Sequence, residues 1–533
     1  MKIRHVRIQN FRSFQQFELP LGGKSMYVIG ENAGGKTSLL TGIARALGRD
    51  LSFTRADFRD LQEPIQIEVT LQDFDVPQRA LFGDYIHFGV PPTLAVGVRA
   101  VWDSAAENAE VEHWYPRHPA SRSKKKEREG LPVQWLASAR DPARMLQFGV
   151  ARNLMGLILG GYPIEESLER AVADVRLAGE QLGREASLIR LLSNARERLA
   201  DLLPAVAQDA FAMGVSAISG RDLLRQLELQ VEHPEDRIAV SRQSSGVAQL
   251  AIFVFALELA ATQPGTVLLI DEPEISLHPQ SQRALMRSFR KLNGQAIIAT
   301  HSSNLLDRAD PRMVVRLKRN STLNISFASP TGLSEAEARH LSRNTRPHTT
   351  EAFFARSVIL VEGLSDQYAL EVLADRRGRN IDAEGISIVP IGGATAITTY
   401  IDLFGPNGFD LALAGLCDVA EEGTFRNALK KAGYTIHNRN DMEQLGFFVC
   451  VADLEDELLR ALGAQEVLQI VTREGDLGDF QRLQLQLTHK GAALDDQIRA
   501  FIRKRKLEYA PLLVDALDLT KVPAALDGVL RSV

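Results

Sequence analysis

The glycine-rich segment Gly30–Thr37 constrains the fold more than any other part of the sequence. Its sequence, GENAGGKT, matches the phosphate-binding pattern G-x-x-x-x-G-K-[ST]. It follows the apolar stretch Ser25–Ile29, which predicts a strand, and it precedes Thr37–Leu47, where apolar residues recur at helical spacing. A turn between a buried strand and a helix presents backbone N–H groups and the positive end of a helix to phosphates. The sequence therefore predicts a nucleotide site on an α/β sheet.

The residue types in this loop suggest individual roles. We expect Lys36 to reach the β- and γ-phosphates and Thr37 to bind Mg2+ through its hydroxyl. The expected nucleotide ligands in and after the loop are Gly30, Asn32, Gly34, Gly35, Lys36, Thr37 and Ser38. ATP and Mg2+ are the predicted cofactors of this site.

A second motif supplies the carboxylates that such a site needs. The apolar stretch Thr266–Ile270 predicts a strand, and Asp271 and Glu272 follow it directly. Open α/β sheets bind ligands at the carboxyl ends of their strands. We expect Asp271 to hold the magnesium ion and Glu272 to orient or deprotonate the attacking water. His301 follows the predicted strand Ala296–Ala299, where a γ-phosphate sensor is expected.

Small polar residues, with sequence SSGVAQ, open the predicted helix Val247–Ala261 and could bind an anion there. Taken in order, these motifs and the D-loop-like segment Ile275–Pro279 resemble ATP-binding-cassette ATPases of the SMC, Rad50 and RecF branch. The resemblance implies that Ser245 and Gly246 of one subunit close over ATP bound to another, and hence ATP-dependent head-to-head dimers. The segment departs from the usual Leu-Ser-Gly-Gly signature, and no Q-loop is placed.

A second set of carboxylates follows predicted strands later in the chain. Glu362 follows Ser357–Val361, Asp366 lies four residues further on, and Asp418 closely follows Asp410–Leu416. Carboxylates at the ends of adjacent parallel strands converge, which is how oxygen-ligand magnesium sites are built. The alternative is that each acidic residue caps a helix or lies in a first helical turn.

The strand ending Val-Glu-Gly, followed by a helix and a later strand ending in Asp, resembles the Toprim domain of topoisomerases, primases and OLD-family nucleases. An ATP-binding-cassette domain followed by a Toprim domain resembles the OLD (overcoming lysogenization defect) family along nearly the whole chain. Toprim proteins usually carry Asp-x-Asp, but here Ala420 stands two residues after Asp418. Glu421 or Glu422 could replace the missing carboxylate.

The resemblance implies two further contributions to the metal site. The segment Val451–Glu457 resembles the acidic segment that completes the second OLD-family metal site, with Asp453 and Glu455 as the favoured ligands. The basic cluster Arg503–Lys506 resembles the segment that carries a functional lysine, for which we favour Lys506 over Lys504. A lysine there could stabilise charge on the scissile phosphate. The alternatives are a negatively charged helix start and a solvated helix face.

Length and composition bound the remaining possibilities. A chain of 533 residues with 45% hydrophobic residues, a net charge of −5 and only two cysteines suits a multidomain protein of a reducing compartment. We expect an α/β ATPase domain at 1–340 with a helical, candidate dimerisation insertion at about 150–205, a Toprim core at 350–460 and a helical C-terminal part at 461–533. We predict a solvated loop at His113–Gly130, a strand at Leu223–Val231 and an apolar stretch too short to span a membrane near Ala248–Ala261.

The leading hypothesis is an ATP-regulated, Mg2+- or Mn2+-dependent DNA endonuclease of the OLD family, cytoplasmic and working as a homodimer or higher oligomer. The resemblance implies DNA repair or defence against phage or plasmids, with a helicase or other defence protein as a candidate partner and no membrane. Lys124–Lys126 and Arg503–Lys506 could contact DNA phosphates. One alternative is a DNA-binding ATPase clamp with a non-cutting Toprim domain, which Ala420 favours. Another is a nucleotide-gated structural or toxin partner.

Overall fold

The computed structural model describes residues 1–49, 52–150, 153–202, 219–233, 236–320, 322–344, 347–488 and 491–533. The strands are β1 Lys2–Phe11, β2 Phe14–Pro20, β3 Met26–Gly30, β4 Ile65–Gln72, β5 Leu94–Asp103, β6 Asn108–Tyr115, β7 His118–Arg122, β8 Val133–Leu136, β9 Gln230–His233, β10 Asp236–Ala239, β11 Val267–Asp271, β12 Gln295–Ala299, β13 Val314–Arg319, β14 Ile325–Ala328, β15 Ser357–Val361, β16 Ile386–Pro390, β17 Ala412–Cys417 and β18 Phe447–Val449.

The helices of the ATPase part are α1 Lys36–Ala46, α2 Val76–Phe82, α3 Lys125–Glu129, α4 Pro142–Met145, α5 Leu154–Leu159, α6 Glu165–Gly183, α7 Ala186–Leu202, α8 Gly220–Arg225, α9 Ser245–Thr262, α10 Pro279–Phe289, α11 Glu335–Asn344 and α12 Pro347–Glu351. Those of the C-terminal part are α13 Leu364–Arg376, α14 Ile381–Glu384, α15 Ile397–Phe404, α16 Glu422–Lys431, α17 Arg439–Gln444, α18 Leu454–Leu462, α19 Ala464–Arg473, α20 Leu477–Thr488, α21 Leu494–Lys504, α22 Lys506–Ala516 and α23 Ala524–Arg531.

The N-terminal sheet is antiparallel, with strand order β2-β1-β4-β5-β6-β7. In β4 the residues Ile65, Ile67, Val69 and Leu71 are buried and the residues between them are partly exposed. This period-two alternation is the pattern of a sheet with one buried face. The buried face packs against the phosphate-loop helix α1, and both share one apolar cluster.

The central sheet has strand order β14-β13-β3-β12-β11-β8, and all neighbours except β13 and β14 are parallel. β3, β11 and β12 are buried along their whole length, as expected for strands covered on both faces. Their carboxyl ends meet at one edge. That edge therefore brings together Gly30, Asp271 and the residues after Ala299, which come from distant parts of the sequence.

The C-terminal sheet is a second parallel sheet, with strand order β16-β15-β17-β18. β15 lies between β16 and β17, so Glu362 and Asp418 follow adjacent strands. Helices α13, α18, α21 and α22 bury their apolar residues against this sheet and against one another. The helical C-terminal segment is thus packed on the sheet that positions the second carboxylate set.

One apolar cluster crosses from the ATPase part into the C-terminal part. It contains Ile298 and Val314 of the central sheet, Phe353 of the connection, and Val358 and Leu360 of β15. Leu333 and Leu341, close to the predicted end of the ATPase domain, are also buried in this cluster. The two sheets therefore share a hydrophobic core.

Two predictions about local structure were wrong. His113–Gly130 is not a loop: it contains the end of β6, then β7 and α3, because Tyr115 is buried, stacks on Tyr85 with ring centroids 3.8 Å apart, and donates a 2.7 Å hydrogen bond to Glu127. Leu223–Val231 is not one strand, because it contains the end of α8 and the first two residues of β9. The predicted helical insertion is present as α6 and α7, while residues 151–152 and 203–205 lie outside the described chain.

The apolar stretch near Ala248–Ala261 lies in a longer helix than predicted. By length and composition, α9 is the one helix among the described residues that could cross a membrane, with a mean hydropathy of 1.7. Its side chains Ile252, Phe253 and Ala256 are instead buried in the cluster that packs on the central sheet. α9 is thus a core helix of the ATPase part.

Candidate functional site

The phosphate loop is shaped by glycine and by the position of its lysine. Gly35 has φ +90°, and a Cβ atom there would lie 3.2 Å from the Phe14 ring and from Ser13 Oγ, so other residues fit poorly. Lys36 Nζ donates hydrogen bonds of 3.0 and 2.9 Å to the carbonyls of Gly30 and Glu31. Burial lowers the pKa of Lys36 to about 8, opposed by the nearby acidic side chains. Its ammonium therefore points to the centre of the loop, where phosphate would bind.

The remaining predicted nucleotide ligands surround that ammonium group. Asn32 and Thr37 are exposed, Ser38 is half-buried and Gly34 is buried. The hydroxyl of Thr37 lies at the start of α1, beside the end of β11. This exposed edge is accessible to a nucleotide.

Asp271 fits the predicted role of a magnesium ligand. Asp271 is 1% exposed; neither carboxylate oxygen forms a hydrogen bond of ordinary geometry among the described residues, and the neighbouring Thr37 hydroxyl acts to lower its pKa. Burial raises the pKa of Asp271 to about 6, and the charge of Glu272 adds to the effect. A buried acidic group without a partner is unfavourable, and a divalent cation would satisfy it.

Glu272 and His301 face each other at the edge of the central sheet. Glu272 Oε1 lies 3.8 Å from His301 Nε2, and both side chains are about one-third exposed, at 31% and 34%. Glu272 adopts a positive φ of 47°, and its N–H donates a 2.9 Å hydrogen bond to the carbonyl of Ala299. Burial lowers the pKa of His301, and Lys36 adds to the effect, so the neutral ring is favoured. Backbone geometry thus holds Glu272 where water and phosphate would meet.

Two residues that the sequence analysis missed support this edge. Glu274 Oε1 accepts hydrogen bonds of 3.0 Å from Thr300 Oγ1 and 2.6 Å from His301 N. Burial raises the pKa of Glu274. Glu274 therefore positions the histidine through its backbone. Its place in the sequence Asp-Glu-Pro-Glu after a buried strand is the signal that could have identified it.

Arg140 is the second missed residue. It is 8% exposed and donates hydrogen bonds of 2.7 and 2.8 Å to the main-chain carbonyls of Asp271 and Glu272. Its Nε donates a 2.7 Å hydrogen bond to Gln249 of α9, and its guanidinium lies 5.0 Å from the Phe253 ring centroid. Arg140 thus ties the carboxylates to the helix that begins with the signature-like segment. No local sequence pattern marks it, because its partners are distant in sequence.

The signature-like segment lies at the start of α9, with Ser245 exposed and Gly246 half-buried. A Cβ atom on Gly246 would lie 2.9 Å from the carbonyl oxygen of Ser276 in the D-loop-like segment. Close packing here therefore requires glycine. The exposed Ser245 hydroxyl is accessible to a second subunit.

The second carboxylate set also converges. Asp418 N donates a 3.0 Å hydrogen bond to Glu362 Oε1, and Gly363 N donates a 2.8 Å hydrogen bond to Asp366 Oδ2. Burial raises the pKa of Asp418 to about 7, with repulsion from Glu362 and Asp366 adding to it. Burial raises the pKa of Asp366 to about 6. The ends of β15 and β17 thus bear an excess of negative charge.

Asp453, Glu455 and Lys506 interact with the same group of carboxylates, and their own partners differ. Asp453 caps α18 through a 2.8 Å hydrogen bond from Asp456 N, and it also pairs with Arg503. Burial raises the pKa of Glu455, and the positive charge of Lys506 opposes the effect. The charge of Lys506 likewise acts to lower the pKa of Glu362 and Asp366. The structure therefore brings Lys506 towards the carboxylates.

Glu421 and Glu422, the two candidate replacements for the missing carboxylate, have different partners. Glu422 is 14% exposed and forms ion pairs with Arg426 and Arg439. Glu421 instead acts on Glu362, whose pKa is raised by burial and then by this neighbouring charge. Glu421 is thus the better replacement for the carboxylate that Ala420 lacks.

The carboxylates influence one another's charge, but their side chains are not arranged as a metal-binding site. Within the described parts of the chain, no three His, Cys, Asp or Glu side chains are grouped closely enough to hold a metal ion. The donor set still fits a hard divalent cation, because its members are carboxylates whose mutual repulsion such a cation would relieve.

Comparison with known families places both halves of the chain. An "AAA ATPase domain" profile matches residues 1–78, and an "AAA domain, putative AbiEii toxin, Type IV TA system" profile matches 116–307. An "Overcoming lysogenization defect protein-like, TOPRIM domain" profile matches 353–419, which includes Glu362, Asp366 and Asp418. The chain thus combines matches to AAA ATPase domains with a match to an OLD-like Toprim domain. The family architecture expected from the motifs is therefore confirmed.

Individual relatives agree with this assignment. The OLD nuclease of Thermus scotoductus is 26% identical over 433 residues, which cover 75% of this chain and 79% of the relative. The Old nuclease of Escherichia phage P2 is 25% identical over 188 residues, which cover 32% and 31%. The endonuclease GajA of Bacillus cereus is 28% identical over 129 residues, which cover 24% and 22%. The chain thus spans under a third of the length of the last two relatives.

Solved structures give more distant matches. The C-terminal region of the Xanthomonas campestris pv. campestris OLD protein has a TM-score of 0.30 and 25% identity, covering 34% of this chain and 93% of that structure. An Smc head bound to the C-winged helix domain of ScpA has a TM-score of 0.39 and 12% identity, covering 62% and 99%.

Proposed function

We propose that this protein is an ATP-regulated, divalent-metal-dependent DNA endonuclease of the OLD family. The observation that carries the proposal is the group of carboxylates at the ends of β15 and β17, where Asp418 N is hydrogen-bonded to Glu362 Oε1 and Gly363 N to Asp366 Oδ2. Burial raises the pKa of Glu362, Asp366 and Asp418, the charge of Glu362 adds to the rise at Asp366 and Asp418, and the charge of Lys506 opposes it at Glu362 and Asp366. The OLD-like Toprim profile covers the three carboxylates. A nuclease activity agrees with the names of the relatives above, and an ATPase activity agrees with the two AAA profiles.

The chain's own groups suit hydrolysis of a phosphodiester. Glu362, Asp366 and Asp418, with Glu421, Asp453 and Glu455 beside them, would hold Mg2+ or Mn2+. Such an ion activates water and neutralises charge on the phosphate. Lys506 is exposed and positively charged, so it can bind the scissile phosphate and stabilise the charge that develops there.

The ATP site has its own set of roles. Lys36 and the loop backbone bind the phosphates, and Thr37 and Asp271 would hold Mg2+. Glu272 positions water, and neutral His301 contacts the terminal phosphate beside it. We infer that Ser245 and Gly246 complete this site in a second subunit of a homodimer or higher oligomer. A soluble cytoplasmic enzyme that acts in defence or repair, with a helicase or another defence protein as partner, fits this activity.

The test compares Glu362→Ala with the wild type on supercoiled plasmid in Mn2+ and ATP. Cleavage should fall by at least about 100-fold, because a metal ligand is lost. ATP turnover on the same preparation should stay near the wild-type rate, because its site is on the other sheet. If Glu362→Ala cuts plasmid as fast as the wild type, the metal site is elsewhere or a contaminant cuts.

A second candidate is a DNA-binding ATPase clamp whose Toprim domain does not cut. Ala420 favours it, because the usual second aspartate is absent from the end of β17. The proximity of Glu421 to Glu362 favours the nuclease instead. ATP-dependent DNA retention without any plasmid cleavage in Mn2+ or Mg2+ would support the clamp.

A further inference from the structure

Both strands that carry the nuclease carboxylates begin at the ATPase sheet. Arg316 of β13 donates a buried 2.9 Å hydrogen bond to the carbonyl of Ala355, two residues before β15. Lys318 of β13 donates a 2.6 Å hydrogen bond to the carbonyl of Asp410, two residues before β17, and it also pairs with the Asp410 carboxylate. One ATPase strand therefore holds the starting points of β15 and β17.

β13 also pairs with β3, the strand that leads into the phosphate loop. β13 runs parallel to β3, with Leu317 paired to Gly30. A Cβ atom on Gly30 would lie 2.7 Å from the carbonyl oxygen of Leu317, so the first residue of the loop and β13 are in close contact. A shift of Gly30 would therefore displace β13.

Arg356 makes a direct link between the loop and β15. Its Nε lies 3.2 Å from Glu31 Oε1, and both side chains are largely exposed. An exposed ion pair contributes little stability. Its position is informative, however, because Arg356 immediately precedes β15 and Glu31 is the second residue of the phosphate loop. A cavity of about 340 Å3, lined among others by Glu31, Lys318 and Asp410, leaves room for movement at this junction.

The two strands can carry a displacement to the carboxylates. β15 and β17 pair in parallel from Ser357 and Ala412 to Val361 and Leu416. Close-packed strands transmit strain rather than absorb it. At their far ends, Asp418 N is hydrogen-bonded to Glu362 Oε1. The relative position of these two carboxylates thus depends on the relative position of the strands.

We propose that Arg356 and Lys318 are positioning residues that make the arrangement of the nuclease carboxylates depend on nucleotide at the phosphate loop. This inference rests on the proposed nuclease function. Lys36 Nζ donates to the carbonyls of Gly30 and Glu31, and a bound phosphate competes for the same donors. The resulting rearrangement of the loop reaches β15 through Arg356 and β17 through Lys318.

The experiment measures plasmid cleavage by the full chain in Mn2+ with and without saturating ATP. The readout is the ratio of the two cleavage rates, with the larger rate as the numerator. The test therefore applies whether ATP activates or inhibits cleavage. In Arg356→Gln and Lys318→Met the ATP effect should shrink by at least about fivefold, the low end of typical coupling between sites. Cleavage without ATP and ATP turnover should stay within about twofold of the wild type, since surface substitutions have small effects.

Two controls separate coupling from structural damage. Arg473→Gln removes another exposed pair, in which Arg473 Nε lies 3.2 Å from Glu474 Oε1 in the C-terminal helices, and it should keep the full ATP effect. Arg356→Lys preserves the charge and should restore most of the effect. A wild-type ratio in both Arg356→Gln and Lys318→Met, or a wild-type enzyme whose cleavage ignores ATP, would overturn the inference. Cleavage by Glu362→Ala would instead overturn the nuclease function itself.

Discussion

At the scale of single residues, the backbone of Glu272 is fixed by a hydrogen bond, whereas its side chain is partly exposed to solvent. Its N–H is bonded to Ala299, its φ is positive, and its carboxylate lies 3.8 Å from His301. A residue kept in a rare backbone conformation at a ligand edge suggests a functional constraint. Lys36 differs, because it is buried in the loop, and the role proposed for it is phosphate binding.

Replacing Glu272 with Gln should separate hydrolysis from binding. We expect ATP turnover to fall by about 100-fold, the usual contribution of a positioned base, with ATP affinity preserved. The ATP-bound dimer should accumulate. Lys36→Ala should weaken both binding and turnover. Turnover and fluorescent ATP titration on the same samples test this, and near-wild-type turnover in Glu272→Gln would contradict the assignment.

Metal binding at the proposed nuclease site should depend on pH, because its carboxyl groups have raised pKa values. Asp418, with a pKa raised to about 7, loses its negative charge as the pH falls through that value. Mn2+ affinity should therefore drop by up to about tenfold per pH unit below 7, because the metal needs the ionised ligand. Isothermal titration calorimetry between pH 8 and pH 5.5 measures this. Asp418→Asn should bind weakly at every pH.

The same raised pKa predicts the stability of the metal-free protein. The folded state holds the Asp418 proton more tightly than the unfolded chain, so this group favours folding at low pH. That contribution is lost as the pH rises through about 7. In EDTA, the contribution of Asp418 to the free energy of unfolding should therefore be smaller at pH 8 than at pH 6, as measured by denaturant unfolding. Asp418→Asn should flatten the difference, and an unchanged slope would argue against the shifted carboxyl group.

At the scale of elements, Arg140 links α9, which begins with the signature-like segment, to the end of β11, which carries Asp271. Arg140 makes three hydrogen bonds, of which two are buried and one is partly buried, and a shorter side chain would lose all three. Charged hydrogen bonds of this kind contribute about 1.5–3 kcal/mol each. The arginine therefore fixes how the start of α9 sits relative to the carboxylates.

Arg140→Ala should lower ATP turnover by about 10-fold or more while ATP still binds, because the loop and Lys36 are untouched. Thermal unfolding should also shift to lower temperature. Arg144→Ala removes an exposed arginine from the adjacent helix α4 and provides the control. Equal turnover in the two variants would show that Arg140 has no positioning role.

Ser245 tests whether ATP sites form between subunits. Ser245→Arg places a bulky charge at the exposed start of α9 and should block hydrolysis with the phosphate loop intact. If the site is shared, a mixture with Lys36→Ala subunits can form one intact composite site. The exchanged mixture should then hydrolyse ATP faster than either variant alone. Absence of rescue after verified exchange would mean that one chain completes its own site.

At the scale of the whole molecule, two parallel sheets share one apolar cluster and meet at β13. Phe353, which is 2% exposed, lies where the cluster passes from the central sheet to β15. A buried connection of this kind restricts free movement of the two parts. The proposed nucleotide and nuclease sites therefore lie on two sheets that share one core, at the carboxyl ends of different strands.

The sequence alone determined the parts whose signals are local. The phosphate loop, Asp271 and Glu272 after a buried strand, and Glu362 and Asp418 after later strands could be placed because strand, turn and helix patterns extend over a few adjacent residues. β15 has the bounds predicted for it, and β3, α1, β11 and β12 each begin and end within one residue of the prediction. The roles assigned to these residues remain predictions.

Tertiary structure decided what depends on distant residues. Arg140 meets Gln249 and Asp271, which are 109 and 131 positions away, and Arg356 meets Glu31 at a separation of 325. Glu421 and Glu422 are neighbours in sequence, but only the packing of Arg426 and Arg439 shows that Glu422 is occupied. Such contacts leave no periodic signal, because they arise only when separate elements pack together. The chain's residue order therefore determined the two sites, and the packing of its sheets determined how they are joined.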